Sequence, residues 1–548
     1  MIGPGRVFGM RGTRIRPGWA GGAALLIAAA ALLVLITFRD YGVTWDEDVH
    51  NWYGVLVLDY YLSWFKDSRA QHWLDLYIYG AAFDLSAAVL NRFSTLGTYE
   101  TRHLLNGLIG VVGLAGAYKL GAKLAGPRAG FLAALLLVTI PNWYGQMFNN
   151  PKDIPFAVGT VWSLYYLCRI VPDLPRPPLP VVAKFGIAVG LTLGVRVGGL
   201  LLVAYAAEAG AIHCLWRIAE TRRPLAGLSD AATGMVRLVL PMLVLAYPVM
   251  LLFWPWAQLD PLRNPMQSLA SFSHEIFPFP TLFAGSYVPA GDLPWTYLPT
   301  FVVLALPELT LALALIAVPA AIVCECRRPG GPDRAATIQK LVLATAIIFP
   351  VAYAAWIKAV LFDGMRHFIF VLPPIAVAAA LTADGLIDRL ATGWPRRVAF
   401  GLTGVYTLGH LAIMGLLHPD EYVYYNGLVG GVAGAQTLFK TDYWANSYAE
   451  AVRGLTDYLQ TEYGAEFEDH QFTVAVCGPP ISADYFFPEN FVFSKDRQHA
   501  DFFIAFTKDE CNKALPGKEI YRVERLGALL SIVLDRREIP PGPMLSRP

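Results

Sequence analysis

Long apolar stretches separated by short polar ones run through the first three quarters of this chain and stop near residue 417. A helix needs about 20 apolar residues to cross roughly 30 Å of hydrocarbon. Such stretches lie near 20–38, 102–120, 129–147, 154–171, 236–254, 299–323, 339–358, 366–388 and 398–416. A further stretch, 184–216, is too long for one comfortable helix and is interrupted by Gly194, Arg196, Gly198 and Gly199, which predicts two short spans meeting at Arg196. The pattern is that of a polytopic α-helical membrane protein with about 11 transmembrane helices.

Composition agrees. Over 548 residues the chain is 55% hydrophobic and 16% charged, with a mean hydropathy of +0.45, too apolar for a soluble protein of this size. The 43 Lys and Arg nearly balance the 42 Asp and Glu, so net charge points to no nucleic-acid partner, and the placement of charges carries more information.

Cytoplasmic loops collect Lys and Arg. Arg6, Arg11, Arg14 and Arg16 place the N-terminus inside. With two spans in 184–216, every later basic cluster is inside as well: Lys119, Lys123 and Arg128; Arg169, Arg176 and Lys184; Arg217, Arg222 and Arg223; Arg327, Arg328 and Arg334; Arg389, Arg396 and Arg397. A single span there would put the last three clusters outside. The first run is too long for a signal peptide and no A-x-A-like site ends it. The expected division is a transmembrane domain over 1–416, a first external loop over 39–101 within it, and an external C-terminal domain over 417–548. Cys168, Cys214, Cys324 and Cys326 fall at inner ends, where thiols stay reduced. Cys477 and Cys511 fall outside, and pairing or two free thiols are both open.

In the first loop, Val49, Trp52, Tyr53, Leu56, Val57, Tyr60 and Trp64 follow helical spacing, which suits a helix lying in the headgroup layer or packed on the bundle. Beyond 417 long apolar runs give way to short ones. Ser447 and Glu450 predict a capping box for a helix carrying Tyr448, Val452, Leu455 and Leu459 on one face, ending at Gly464. Runs at 472–477, 502–507 and 528–534 read as strands of a small α/β domain.

Four polar clusters fall on the external side. Asp46, Glu47, Asp48 and His50 follow the first span; Asn149, Asn150, Lys152 and Asp153 join the third and fourth; Asp363, Arg366 and His367 precede the tenth; Arg196 stands alone at the hairpin tip. Each has a plain structural explanation: solvated loop acids, an Asp153 favoured by a helix N-terminus, an Arg196 paired with a loop acid or with Glu208. Together they also suit chemistry, with carboxylates to deprotonate a hydroxyl and cations to hold a phosphate. Asp46-x-Asp48 matches the metal-holding pattern of nucleotide-sugar transferases, but nucleotide sugars are cytoplasmic and this loop is external. These residues point to no certain cofactor, and a divalent metal stays an open alternative.

The segments Phe148-Asn-Asn-Pro-Lys-Asp-Ile-Pro-Phe156, Leu361-Phe-Asp-Gly-Met-Arg-His-Phe368, Tyr424-Tyr-Asn-Gly-Leu-Val-Gly-Gly431 and Asp442-Tyr-Trp444, with Asp46-Glu47 after the first span, resemble the glycosyltransferase C superfamily over about 40–450. The resemblance is to the family 39-like branch that contains protein O-mannosyltransferases and the lipid A aminoarabinose transferase. It implies a polyprenyl-phosphate sugar donor, an inverting single displacement, and an acceptor protein, lipid or glycan at the outer face of a bacterial inner membrane. It makes Asp46 the base, with Glu47 orienting and Asp153 as the alternative. Asn150, Lys152, Arg196, Asp363, Arg366 and His367 are the expected substrate-binding residues. Where the aminoarabinose transferase has a Lys-Pro-Pro element, this chain has Leu76-Tyr-Ile-Tyr-Gly-Ala-Ala-Phe-Asp84 without a lysine, so Lys152, Arg196 or Arg366 must meet the phosphate. A transporter or a non-catalytic lipid-binding relative are the competing readings. A transporter would place its charges near the midplane and often show internal repeats; here the charges lie at the surface and no repeat is found.

Overall fold

The computed structural model describes residues 17–221, 224–271, 280–326, 333–390 and 392–539. Arg6, Arg11, Arg14, Arg16, Arg222, Arg223, Arg327 and Arg328, on which the expected sidedness partly rests, lie outside the described residues.

Among the described residues, 8 helices are long and apolar enough to cross a membrane: Gly18–Thr37, Thr98–Ala125, Asp153–Asp173, Val197–Glu220, Ala232–Leu252, Arg334–Trp356, Arg366–Arg389 and Trp394–Leu417. The protein is a polytopic α-helical membrane protein. The remaining expected stretches also form helices, but shorter or broken ones. Pro127–Val138 and Pro141–Asn149 make a pair bent by 67°, because Pro141 has no amide to continue the ladder. Leu179–Leu193 stops at Gly194, as the glycines around Arg196 foretold, and Pro307 separates Tyr297–Ala305 from Glu308–Cys326.

The surface is inverted relative to a soluble protein. Leu25, Ile36, Val244, Leu315 and Leu408 point outward and are exposed, as lipid-facing positions should be. Inside, helix Thr98–Ala125 carries Gly107, Gly110, Gly113 and Gly116 at three-residue spacing. A Cβ on Gly110 would stand 2.3 Å from Met147, and one on Gly113 2.7 Å from Trp143. Small residues let backbones approach closely, so this stripe seats helices Pro141–Asn149 and Asp153–Ile170 against Thr98–Ala125. Just beyond the far end of that helix, Arg128 pairs with Asp384 and with Asp388.

The C-terminal α/β domain has a five-stranded sheet in the order Phe491–Phe493, Phe472–Val476, Phe502–Phe506, Ala528–Asp535, Lys518–Arg525. The first three strands run parallel and the last two join antiparallel. Helix Tyr448–Tyr463 buries Tyr448, Val452, Leu455 and Leu459, the expected face. The expected capping box is absent: Ser447 Oγ donates to Asp442 at 2.5 Å, and Glu450 pairs with Arg525. A tertiary charge outcompetes the local cap. Cys477 and Cys511 form a disulfide.

Candidate active site

The first loop folds back on the bundle. Its helix Trp45–Leu62 buries Tyr53, Leu56, Val57 and Tyr60, while Trp52 and Trp64 of the expected apolar face are exposed. Glu47 reaches back to the helix start, accepting from Thr44 N–H at 2.9 Å and Thr44 Oγ1 at 3.1 Å. Its other oxygen meets His103 Nε2 at 3.0 Å. Both oxygens are therefore engaged, and their contacts fix the start of the helix. Asp48 accepts from the Tyr99 hydroxyl at 2.8 Å.

Asp46, one residue before Glu47, turns the other way. It is partly exposed and accepts from Arg366 Nη1 at 2.5 Å. Burial opposes its ionised form, but Arg366, Lys152 and His50 outweigh that and hold it at about 2. A carboxylate held so low is a weak base while the pair is closed.

The second cluster forms around the start of helix Asp153–Ile170. Asn150 is a bracket: Oδ1 accepts from Asp153 N–H at 3.0 Å, and Nδ2 donates to Gln146 at 2.6 Å and to Asp153 Oδ2 at 3.0 Å. Asp153 also pairs with Arg196. Arg196 does not meet Glu208, which accepts from Thr345 at 2.8 Å instead. Lys152 has no carboxylate within ion-pair reach among the described residues; its ammonium stands 3.7 Å over the Tyr79 ring. The Arg196 guanidinium lies 5.7 Å from the centre of the same ring. Burial first, then repulsion from Arg196, lower the Lys152 ammonium to about 8 against the pull of Asp153 and Asp46.

Tyr79 reaches this place because the chain beside it can touch another backbone. A Cβ on Gly80 would be 2.0 Å from Gly194 O, and the Ala82 N–H donates to that same carbonyl at 3.0 Å. The hairpin break therefore receives the first loop.

In the third cluster Asp363 is buried, at φ +53°, and neither of its carboxylate oxygens has a hydrogen-bond partner. Arg366 Nη2 lies 4.0 Å from it, and Lys508 of the C-terminal domain 3.6 Å. The His367 ring packs edge-on to Phe362 at 4.8 Å, within electrostatic reach of Arg366, Arg196 and Lys152. The geometry thus brings Asp46, Lys152, Asp153, Arg196, Asp363, Arg366 and His367 into one region, with Glu47 and Asn150 as supports.

Tyr79 and Lys508 were not singled out by the sequence, nor were the partners that join His50 in a buried trio, Asp84 and Arg102. In the trio, His50 Nδ1 meets Asp84 Oδ2 at 2.9 Å and Arg102 Nη2 meets Asp84 Oδ1 at 2.7 Å. Arg102 lies inside an apolar helix, and that placement was its signal. Among the described residues, no group of three or more His, Cys, Asp or Glu is placed to hold a metal ion.

No family model and no curated protein matches this chain. Solved structures do. The chain is similar to ArnT from Cupriavidus metallidurans bound to undecaprenyl phosphate, with 13% identity and a TM-score of 0.49 over 96% of this chain and 100% of that one. The apo state of the same protein gives 15% identity and a TM-score of 0.47 over 94% and 98%. The Archaeoglobus fulgidus oligosaccharyltransferase AglB, in complex with an inhibitory peptide and a dolichol-phosphate, gives 13% and 0.46 over 84% of this chain and 63% of that one. With TM-scores below 0.5, no role is carried across from them to the residues described above.

Proposed function

We propose that this protein is a membrane glycosyltransferase that moves a sugar from a polyprenyl-phosphate carrier to a hydroxyl acceptor at the outer face of a bacterial inner membrane. Residues 1–416 form the transmembrane part and 417–548 stand on the outer side. The observation that carries the reading is a charge left over in a half-buried place. Lys152, Arg196, Arg366 and Lys508 face Asp46, Asp153 and Asp363, and Lys152 is the cation without a carboxylate. A half-buried ammonium stacked on an aromatic ring with no carboxylate beside it is costly unless an anion joins it, and a carrier phosphate supplies that anion at headgroup depth.

The chemistry follows from the same pairs. The phosphate engages Lys152 and Arg196 and competes with Asp46 for Arg366, which frees Asp46. The acceptor hydroxyl then gives its proton to Asp46 as its oxygen bonds to the anomeric carbon. The bond from that carbon to the phosphate oxygen breaks, and the electron pair stays on the polyprenyl phosphate. Attack opposite to departure inverts the anomeric centre. The cations stabilise the charge that develops on the leaving phosphate.

Two measurements test this. Purified protein in nanodiscs should bind undecaprenyl phosphate, and a strain lacking the protein should accumulate a lipid-linked sugar. An unchanged lipid-linked sugar pool together with absent binding would remove the transferase reading.

A further inference from the structure

The C-terminal domain enters the site through one loop. After strand Phe502–Phe506, Asp509 and Glu510 adopt φ of +53° and +57°, a region that non-glycine residues occupy only when the surroundings enforce it. Two ties hold the loop there. Cys511 is bridged to Cys477 at the end of strand Phe472–Val476, and Asp509 meets Lys440 at 3.0 Å. The effect is to thrust Lys508 inward. Its ammonium is buried 3.7 Å over the ring of Trp45, the neighbour of Asp46, and 3.6 Å from Asp363 Oδ1.

Asp363 in turn lies 4.0 Å from Arg366, and Arg366 binds Asp46 at 2.5 Å. Lys508, Asp363, Arg366 and Asp46 therefore form a chain of alternating charge from the C-terminal domain to the candidate base. Arg366 stands between two carboxylates. Without Lys508, Asp363 would be a buried anion with Arg366 as its single ion-pair partner among the described residues, and it would draw Arg366 away from Asp46.

We propose that the C-terminal domain is part of the catalytic unit, with Lys508 as a positioning residue that neutralises Asp363 and so leaves Arg366 free to shuttle between Asp46 and the donor phosphate. This rests on the transferase reading above. Lys508 touches neither donor nor acceptor in this scheme, so its loss affects turnover more than donor binding.

The test uses full-length protein in nanodiscs and the lipid-linked sugar fraction extracted from a strain lacking the protein, with lipid-linked sugar consumption as readout. Lys508→Met should lower kcat about tenfold or more while moving KM less than about threefold. Lys508→Arg should restore most of the rate, because charge rather than shape is required. Asp363→Asn removes the anion that Lys508 balances, so the double variant Lys508→Met/Asp363→Asn should be no slower than Asp363→Asn alone, a non-additivity expected only of coupled residues. An unchanged melting temperature and an intact disulfide, read by mass, exclude a folding defect. Wild-type kinetics in Lys508→Met, or effects that multiply in the double variant, overturn the inference. A wild type that leaves the lipid-linked sugar intact overturns the transferase reading, and the inference with it.

Discussion

Asp46 and Arg366, 320 positions apart in the chain, meet at 2.5 Å across the mouth of the site. That contact closes the candidate base with the same guanidinium that a phosphate would recruit. Asp46→Asn keeps the shape and removes the basicity. It should lower lipid-linked sugar consumption by about 10²-fold or more. Undecaprenyl phosphate should bind it at least as tightly as wild type, because Arg366 no longer has a carboxylate rival. Near-normal turnover at normal protein levels would move the base to Asp153.

Lys152 sets a pH window. Its ammonium is lowered from 10.5 to about 8 in the native protein, so between those values the unfolded chain holds a proton that the native chain has shed. Stability contributed by this group therefore rises with pH across that window. Binding runs the other way, since a phosphate needs the charged ammonium. A phosphate monoester is already doubly ionised above its second pKa of about 6. Undecaprenyl phosphate affinity should therefore fall by about tenfold or more from pH 7 to pH 9.5, the scale of one hydrogen bond to a charged group. Lys152→Met should bind weakly at pH 7, show a flat profile and melt at a higher temperature than wild type. A wild-type affinity that does not vary with pH would remove Lys152 from the phosphate site.

Tyr79 lies under two cations, with Lys152 at 3.7 Å and Arg196 at 5.7 Å. Cation–π contacts in desolvated places contribute about 2 kcal/mol. Tyr79→Phe keeps the ring and should bind undecaprenyl phosphate nearly as wild type does. Tyr79→Leu should lose about tenfold or more in affinity. Equal binding by both variants would show that the ring only fills space.

The sequence makes the gathering of the clusters readable, because apolar lengths and basic loops together constrain which loops share a face, and the structure brings those loops together. Arg196 illustrates this: glycines at Gly194, Gly198 and Gly199 break the apolar stretch, and the break puts Arg196 against Asp153. Tyr79 was not readable, since one tyrosine in an apolar loop looks like any other and the close approach at Gly80 depends on a backbone more than 100 positions away. Lys508 was hidden for a different reason. Lys508-Asp509-Glu510 reads as a solvated turn, and its inward thrust comes from tertiary ties. Strand Lys518–Arg525 escaped notice because it is a charged edge strand, the composition that keeps edges from pairing with other chains. Glu450 shows the opposite error, a good local cap spacing overridden by Arg525.

Asp153 and Arg196 form a buried pair with side-chain exposures of 6% and 13%, and this separates a structural from a catalytic Asp153. Removing one member of a buried pair leaves the other charge uncompensated, at a typical cost of about 3–5 kcal/mol. Arg196→Ala should therefore lower both the melting temperature and the yield of folded protein. Asp153→Asn strips Arg196 of its carboxylate, but that cation can turn to a bound phosphate. Added undecaprenyl phosphate should raise the melting temperature of Asp153→Asn by more than it raises that of wild type, because ligand binding to the native state stabilises it. In Arg196→Ala the added lipid should restore little, since the cation itself is gone. If Asp153→Asn instead melts like wild type and loses turnover about as severely as Asp46→Asn, the pair is not what holds this corner together and Asp153 is the base.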